Sequence, residues 1–307
     1  MRKFKLFVLS CIFVLVVVVL GGCAKEKAKS QETSSTEVNE NTDEESSNTD
    51  TSKSDNTSAD STKTDNTNAT ADNKAGDKTS ILVAAASSLQ YCMEEELEPM
   101  FEKANPGVDV TFTFDSSGKL QTQIEEGADV DIFMSAAMKQ MDTLNGEGLM
   151  DKDSIVELLE NKIVLIAPAG ADIKVTSFED ITKADTIALG DPESVPVGQY
   201  SKEVFENLGT WEDVKAKASF GTNVTEVLNW VAEGSADVGV VYATDADTTD
   251  QVKVVAQAPS GSVSKAIYPA GIVSASTKKE AAQLFVDFLS TKEALDVFVK
   301  YGFTVNN

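Results

Sequence analysis

From residue 80 onward, apolar positions fall into two alternating rhythms. "SILVAAA", starting at Ser80, reads as a buried strand, and Leu89, Met93, Leu97, Met100 and Phe101 then recur at helical spacing. "VDVTFTF" is a second strand, and "GKLQTQIEEG" a short helix with Leu120 and Ile124 inward and Gly127 at its C-terminal end. "VDIFMSA", a helix from Met138 to Leu144, and the strand "NKIVLIAP" follow. "SFED" predicts a helix capped by Ser177, "TIALGD" a strand, and "PVGQYSKEVFENLG" a helix opened by glycine. Val224, Val227, Leu228 and Val231 mark one more helical face, ahead of the strand "DVGVVYA". "KAIYPAGIVS" and helices over Lys279 to Leu289 and Thr291 to Tyr301 close the chain. Strand and helix in turn predict an α/β protein with parallel strands.

Ligands of such sheets sit beyond the carboxyl ends of strands, where helices begin. Four segments have that form: "AAASSL", "FDSSGKL", "GDPESVPVG" and "FGTNVTEVL". Each offers small or hydroxyl residues and free N–H groups to an anion at a helix N-terminus. Ordinary N-capping explains any one of them. Four become a site only if the fold makes them converge.

Ahead of residue 80 both rhythms are absent. "MRKFK", the apolar run "LFVLSCIFVLVVVVL" and Leu20-Gly21-Gly22-Cys23 match a bacterial lipoprotein signal peptide, with cleavage before Cys23 and acylation of that cysteine. An uncleaved membrane anchor is the other reading of the apolar run. From Ala24 to Thr79 the chain is mostly Ser, Thr, Asn, Asp, Glu and Lys, with no aromatic residue. Such a segment buries too little apolar surface to fold and is expected to be a disordered spacer, with a mean reach of roughly 40 Å.

The stretches "AAASSLQ", "TFDSSGKLQTQIEEGADVDIFMSA", "GDPESVPVGQYSKE", "VGVVYATDA" and "YGFTV" resemble, in order and spacing, the substrate-binding component of molybdate ABC transporters. The resemblance implies a type II periplasmic-binding-protein fold, with two α/β lobes joined by a hinge. It divides the chain into a signal peptide (1–22), the lipidated cysteine and spacer (23–79) and a binding domain (80–307). Lobe 1 would take about 80–162 and 248–307, and lobe 2 about 163–247. Family members hold the anion with two serines, two backbone amides and a tyrosine, which carry over to Ser88, Ser117, Val197, Val224 and Tyr242. Two positions depart from the family's pattern: Val197 stands where alanine is common, and Gly118 where a third serine is often found. The implied function is capture of molybdate or tungstate by a monomeric, lipid-anchored, extracytoplasmic protein that delivers it to an ABC permease and its ATPase subunits. No cofactor, and no metal beyond the oxyanion itself, is implied. Another tetrahedral oxyanion such as sulfate is the alternative ligand, and a secreted enzyme or adhesin the alternative class.

Composition narrows the chemistry. The formal charge of −24 argues against nucleic acid. Arg2 is the only arginine and there is no histidine, so an oxyanion must be held by neutral dipoles or lysine. Lys119, beside Ser117, is either added charge or a solvated helix lysine. A serine hydrolase lacks its histidine and any G-x-S-x-G elbow, and zinc lacks its usual ligands. Cys92, on an apolar helix face, reads as a small core residue. No proposed ligand group titrates between about pH 6 and 9, and no carboxylate is expected in the pocket, so binding is expected to be independent of pH there and to disfavour protonated phosphate.

Overall fold

β1 (Thr79–Ala86) carries Ile81, Val83 and Ala85 fully buried and pairs in parallel with β2 (Val108–Asp115) and β3 (Ile132–Met134). The computed structural model describes residues 78–306, so the signal peptide, Cys23 and nearly all of the spacer lie outside the described residues. β4 (Val156–Asn161) belongs to the same sheet, as do β10 (Ala266–Ile272) and β11 (Thr304–Val305) from the end of the chain. The strand order is β11-β4-β10-β3-β1-β2. A second sheet holds β5 (Ile163–Pro168), β6 (Ile187–Gly190), β7 (Ala218–Gly221), β8 (Val238–Tyr242) and β9 (Val252–Gln257), in the order β7-β6-β8-β5-β9.

Neither sheet is purely parallel. β10 runs antiparallel to β3 and β4, and β5 antiparallel to β8 and β9. These are the strands nearest the crossings between sheets, at Lys162 and in residues 258–265. "NKIVLIAP" is therefore not one strand: Asn161 ends β4 in the first sheet and Ile163 begins β5 in the second. β4 escapes the period-two pattern because it bulges at Leu158, which is skipped between the pairs Leu159–Tyr268 and Glu157–Pro269, leaving Leu158 and Leu159 both buried. The expected second lobe ended at about 247. β9 pairs with β5, so the second sheet extends to residue 257.

Helix α1 (residues 87–104) contains a π-turn at Met93–Leu97. Leu89, Met93, Leu97 and Phe101, spaced by strict fours, are all fully buried. An α-helix would drift about 40° per step at that spacing, and the wider turn takes up the difference. α2 (Ser117–Glu125) and α3 (Met138–Gly146) complete the first half of lobe 1. "SFED" forms no helix. The Asp180 carboxylate accepts from the N–H groups of Thr176 (2.9 Å) and Ser177 (3.1 Å), making a turn, so Ser177 is no cap. In lobe 2, α4 (Pro196–Asn207) opens on proline rather than glycine, as fits a first helical position that needs no N–H. α5 (Trp211–Lys215), α6 (Val224–Ala232) and α7 (Ala243–Ala246) follow. α8 (Lys279–Leu289) and α9 (Lys292–Lys300), the latter capped by Thr291, return to lobe 1.

Candidate anion-binding site

Four helix starts meet between the two sheets. β1 delivers Ser87 and Ser88, and β2 delivers Ser116 and Ser117 at the start of α2. From the other lobe, β6 leads through the proline loop to α4, and β7 leads to α6, whose cap Asn223 accepts from the Glu226 N–H at 2.9 Å. The loop before α4 is fixed by its own hydrogen bonds. The Asp191 carbonyl accepts from Val195 N (2.7 Å) and Ser194 N (3.2 Å), and Asp191 N donates to Gly221 O (2.9 Å). A Cβ on Gly198 would lie 2.9 Å from the Asp191 carbonyl carbon and nearer still to Gly190. Glycine there lets the helix pack on the strand end.

One cavity is lined by Ser88, Ser117, Val197, Val224 and Tyr242 together. Ser87, Asp115, Ser116, Ala136, Val195 and Pro196 share the wall. The space is small, about 10 Å³.

Proton assignment shows what each hydroxyl has left to give. Ser117 Oγ accepts from Ala136 N at 3.0 Å, so its own O–H is free. Ser88 Oγ lies 3.0 Å from Tyr268 Oη, which also accepts from Asn161 Nδ2 at 3.3 Å. If the Tyr268 proton goes to Ser88, the Ser88 O–H is likewise free. Tyr242 donates to the Ala136 carbonyl at 3.2 Å and would have to turn that proton to an anion. Burial holds the Tyr242 phenol well above its ordinary range, so it stays a donor.

Two carboxylates change the electrostatics expected from sequence. Asp115 is on the cavity wall, where none was expected; its Oδ1 accepts from Ser116 N (2.8 Å) and Lys119 Nζ (3.2 Å). Lys119 is thus neither a free cation for the anion nor merely solvated. Asp245, behind Tyr242, accepts from the Tyr242 N–H at 3.1 Å, and burial pushes its carboxyl up to about 7. Sequence reading missed Asp245 because nothing in "YATDA" announces burial. Ser116 and Ala136 were missed because the resemblance carried only one serine of the pair and no residue of the facing strand. Cys92 is buried, its Sγ donates to Leu89 O at 3.1 Å, and its thiol is pushed up to about 12, which suits a core residue.

Residues 81–304 match the family described as bacterial extracellular solute-binding protein. The chain belongs to that family. This solute-binding protein is 40% identical over 227 residues to YvgL of Bacillus subtilis, named provisionally as an ABC transporter substrate-binding lipoprotein; the match covers 74% of this chain and 87% of that one. It is 36% identical over 242 residues to the molybdate-binding protein ModA of Escherichia coli, covering 76% of this chain and 93% of that one. Among solved structures, a substrate-binding domain from Clostridium difficile, assigned provisionally to a molybdenum ABC transporter, is 37% identical with a TM-score of 0.59, covering 75% of this chain and all of that one. The fold is the α/β type II binding-protein fold.

Proposed function

We propose that this protein captures molybdate, or tungstate, outside the cytoplasm and delivers it to an ABC importer. The observation that carries the reading is the convergence of Ser88, Ser117, Val197, Val224 and Tyr242 from both lobes on one small cavity without lysine or arginine on its wall. Ser88, Ser117 and Tyr242 supply hydroxyl protons, and Val197 and Val224 supply N–H groups at the starts of α4 and α6. A fully ionised tetrahedral dianion matches such donors, each worth more toward a charge than toward a neutral group. The names of the relatives support molybdate as the ion and an ABC permease as the partner. Solute capture, not catalysis, is the activity. Cys23, by its sequence context and by the likeness to a lipoprotein, anchors the chain to the membrane.

Calorimetry of the secreted chain with molybdate, tungstate, sulfate and phosphate tests the reading. Tight and comparable binding of the first two, with sulfate and phosphate at least tenfold weaker, is the expected result. Sulfate or phosphate binding as tightly as molybdate overturns it. Lipid labelling of wild type against Cys23→Ser tests the anchor separately.

A further inference from the structure

We propose that Ser116 is a further hydroxyl donor to the bound oxyanion. The proposal rests on the anion-binding reading above and adds a residue to it. Ser116 occupies the N-cap of α2, where a serine oxygen ordinarily accepts an N–H from the first turn. Here it does not. The Ser116 side chain makes no capping bond, although the residue is only 4% exposed. Its Oγ is shut off from water and has no hydrogen-bond partner.

Among the described residues, four buried side-chain polar atoms lack a partner: Ser116 Oγ, Gln140 Oε1, Gln199 Nε2 and Thr210 Oγ1. Of these, only Ser116 belongs to a residue on the cavity wall. The three hydroxyls already proposed as donors are each held by a protein group: Ser88 by Tyr268, Ser117 by Ala136 N and Tyr242 by Ala136 O. A buried hydroxyl with nothing to bond is costly, and natural folds keep few of them. An oxyanion in the cavity removes that cost by accepting the Ser116 proton. The neighbouring Asp115 carboxylate does not serve instead: Ser116 Oγ makes no bond to it, and its Oδ1 accepts from Ser116 N and Lys119 Nζ. Two adjacent serines thus present two protons from one helix start, one hydroxyl oriented by Ala136 N and the other left for the ligand.

The test pairs molybdate calorimetry with ligand-free thermal unfolding, on the full secreted chain, for wild type, Ser116→Ala and Ser116→Gly. A hydrogen bond to a charged group sets the expected loss of affinity at about ten- to a hundredfold. The ligand-free melting temperature should hold or rise in Ser116→Ala, because no protein partner is lost. A purely structural serine would give the reverse pattern, lower ligand-free stability with unchanged affinity, and that result overturns the proposal. Wild-type affinity in both variants overturns it as well while leaving the functional reading intact. Failure of wild type to bind molybdate overturns the reading itself and the proposal with it.

Discussion

The backbone N–H of Gly118, in α2 of lobe 1, donates to the carbonyl of Ser194, in the proline loop of lobe 2, at 2.9 Å. A Cβ on residue 118 would stand 2.7 Å from Ser194 Cα and 2.8 Å from its carbonyl carbon. Glycine at this position therefore lets the two lobes meet backbone to backbone. Gln140 Nε2 donates to Gln199 Oε1 at 3.1 Å, also from lobe to lobe.

Gly118→Ala should hinder closure without touching a proposed ligand group. Molybdate affinity should fall by about 1 to 3 kcal/mol, the usual cost of overpacking a tight contact. Small-angle scattering should show less compaction on adding molybdate than in wild type. Unchanged affinity and compaction would mean that the Gly118 contact does not form in the liganded protein.

Ser117→Ala and Ser88→Ala should each weaken molybdate binding by about 1.5 to 3 kcal/mol, as for a hydrogen bond to a charged group. Calorimetry on the two variants measures this directly. Wild-type affinity in both would remove them from the site.

Tyr268 should act on the ligand through Ser88, whose Oγ it meets at 3.0 Å. Tyr268→Phe removes the hydroxyl that pairs with Ser88 Oγ, and Asn161 Nδ2 keeps Thr244 Oγ1 as acceptor at 2.8 Å. Affinity should fall by about 0.5 to 1.5 kcal/mol, the net value of a neutral hydrogen bond. In a double-mutant cycle the effect should vanish once Ser88 is alanine. Additive losses would show that Tyr268 does not work through Ser88.

Asp115 and Lys119 form a partly exposed pair at the cavity wall. Lys119→Ala should leave the carboxylate uncompensated beside an incoming anion and weaken binding by up to about 1 kcal/mol, less at high salt. Asp115→Asn in the same chain should restore it. Titrations at two ionic strengths check both statements.

Asp245 sets a pH dependence that the ligand groups themselves do not. Its folded carboxyl lies near 7, above its ordinary 3.8, because burial disfavours the charge. The folded state thus holds the proton more tightly than the unfolded chain, so this stabilisation is complete below about pH 4 and lost as pH rises through 7. Asp245→Asn should match wild type near pH 4 and exceed it at pH 8 by up to about 4 kcal/mol, since each tenfold difference in proton affinity is worth roughly 1.4 kcal/mol. Calorimetric unfolding across pH reads the difference, and parallel curves would refute it. Since the carboxylate adjoins Tyr242, molybdate affinity should also decline above pH 7, where sequence alone expects none.

The amphipathic elements were legible because each writes its own periodicity. Leu89, Met93, Leu97 and Phe101 mark α1, and Val224, Val227, Leu228 and Val231 mark α6, since a buried face repeats with the turn of the helix. The strands that escaped are those whose burial is set by neighbours far along the chain. β4 shares its sheet with β10 across about a hundred residues, and β9 joins β5 across nearly as many.

By itself the sequence determined an alternating α/β chain, four helix starts rich in small and hydroxyl residues, an oxyanion chemistry without arginine or histidine, and Cys23 as the candidate anchor. These are properties of residue type and local spacing. Only the tertiary structure decided that the four starts share one cavity, that Asp115 and Asp245 stand at it or behind it, that Gly118 admits Ser194, and that Ser116 keeps an unpartnered hydroxyl. Burial and convergence depend on how two sheets, each threaded by distant segments, close on one another, and no local period in the chain records that.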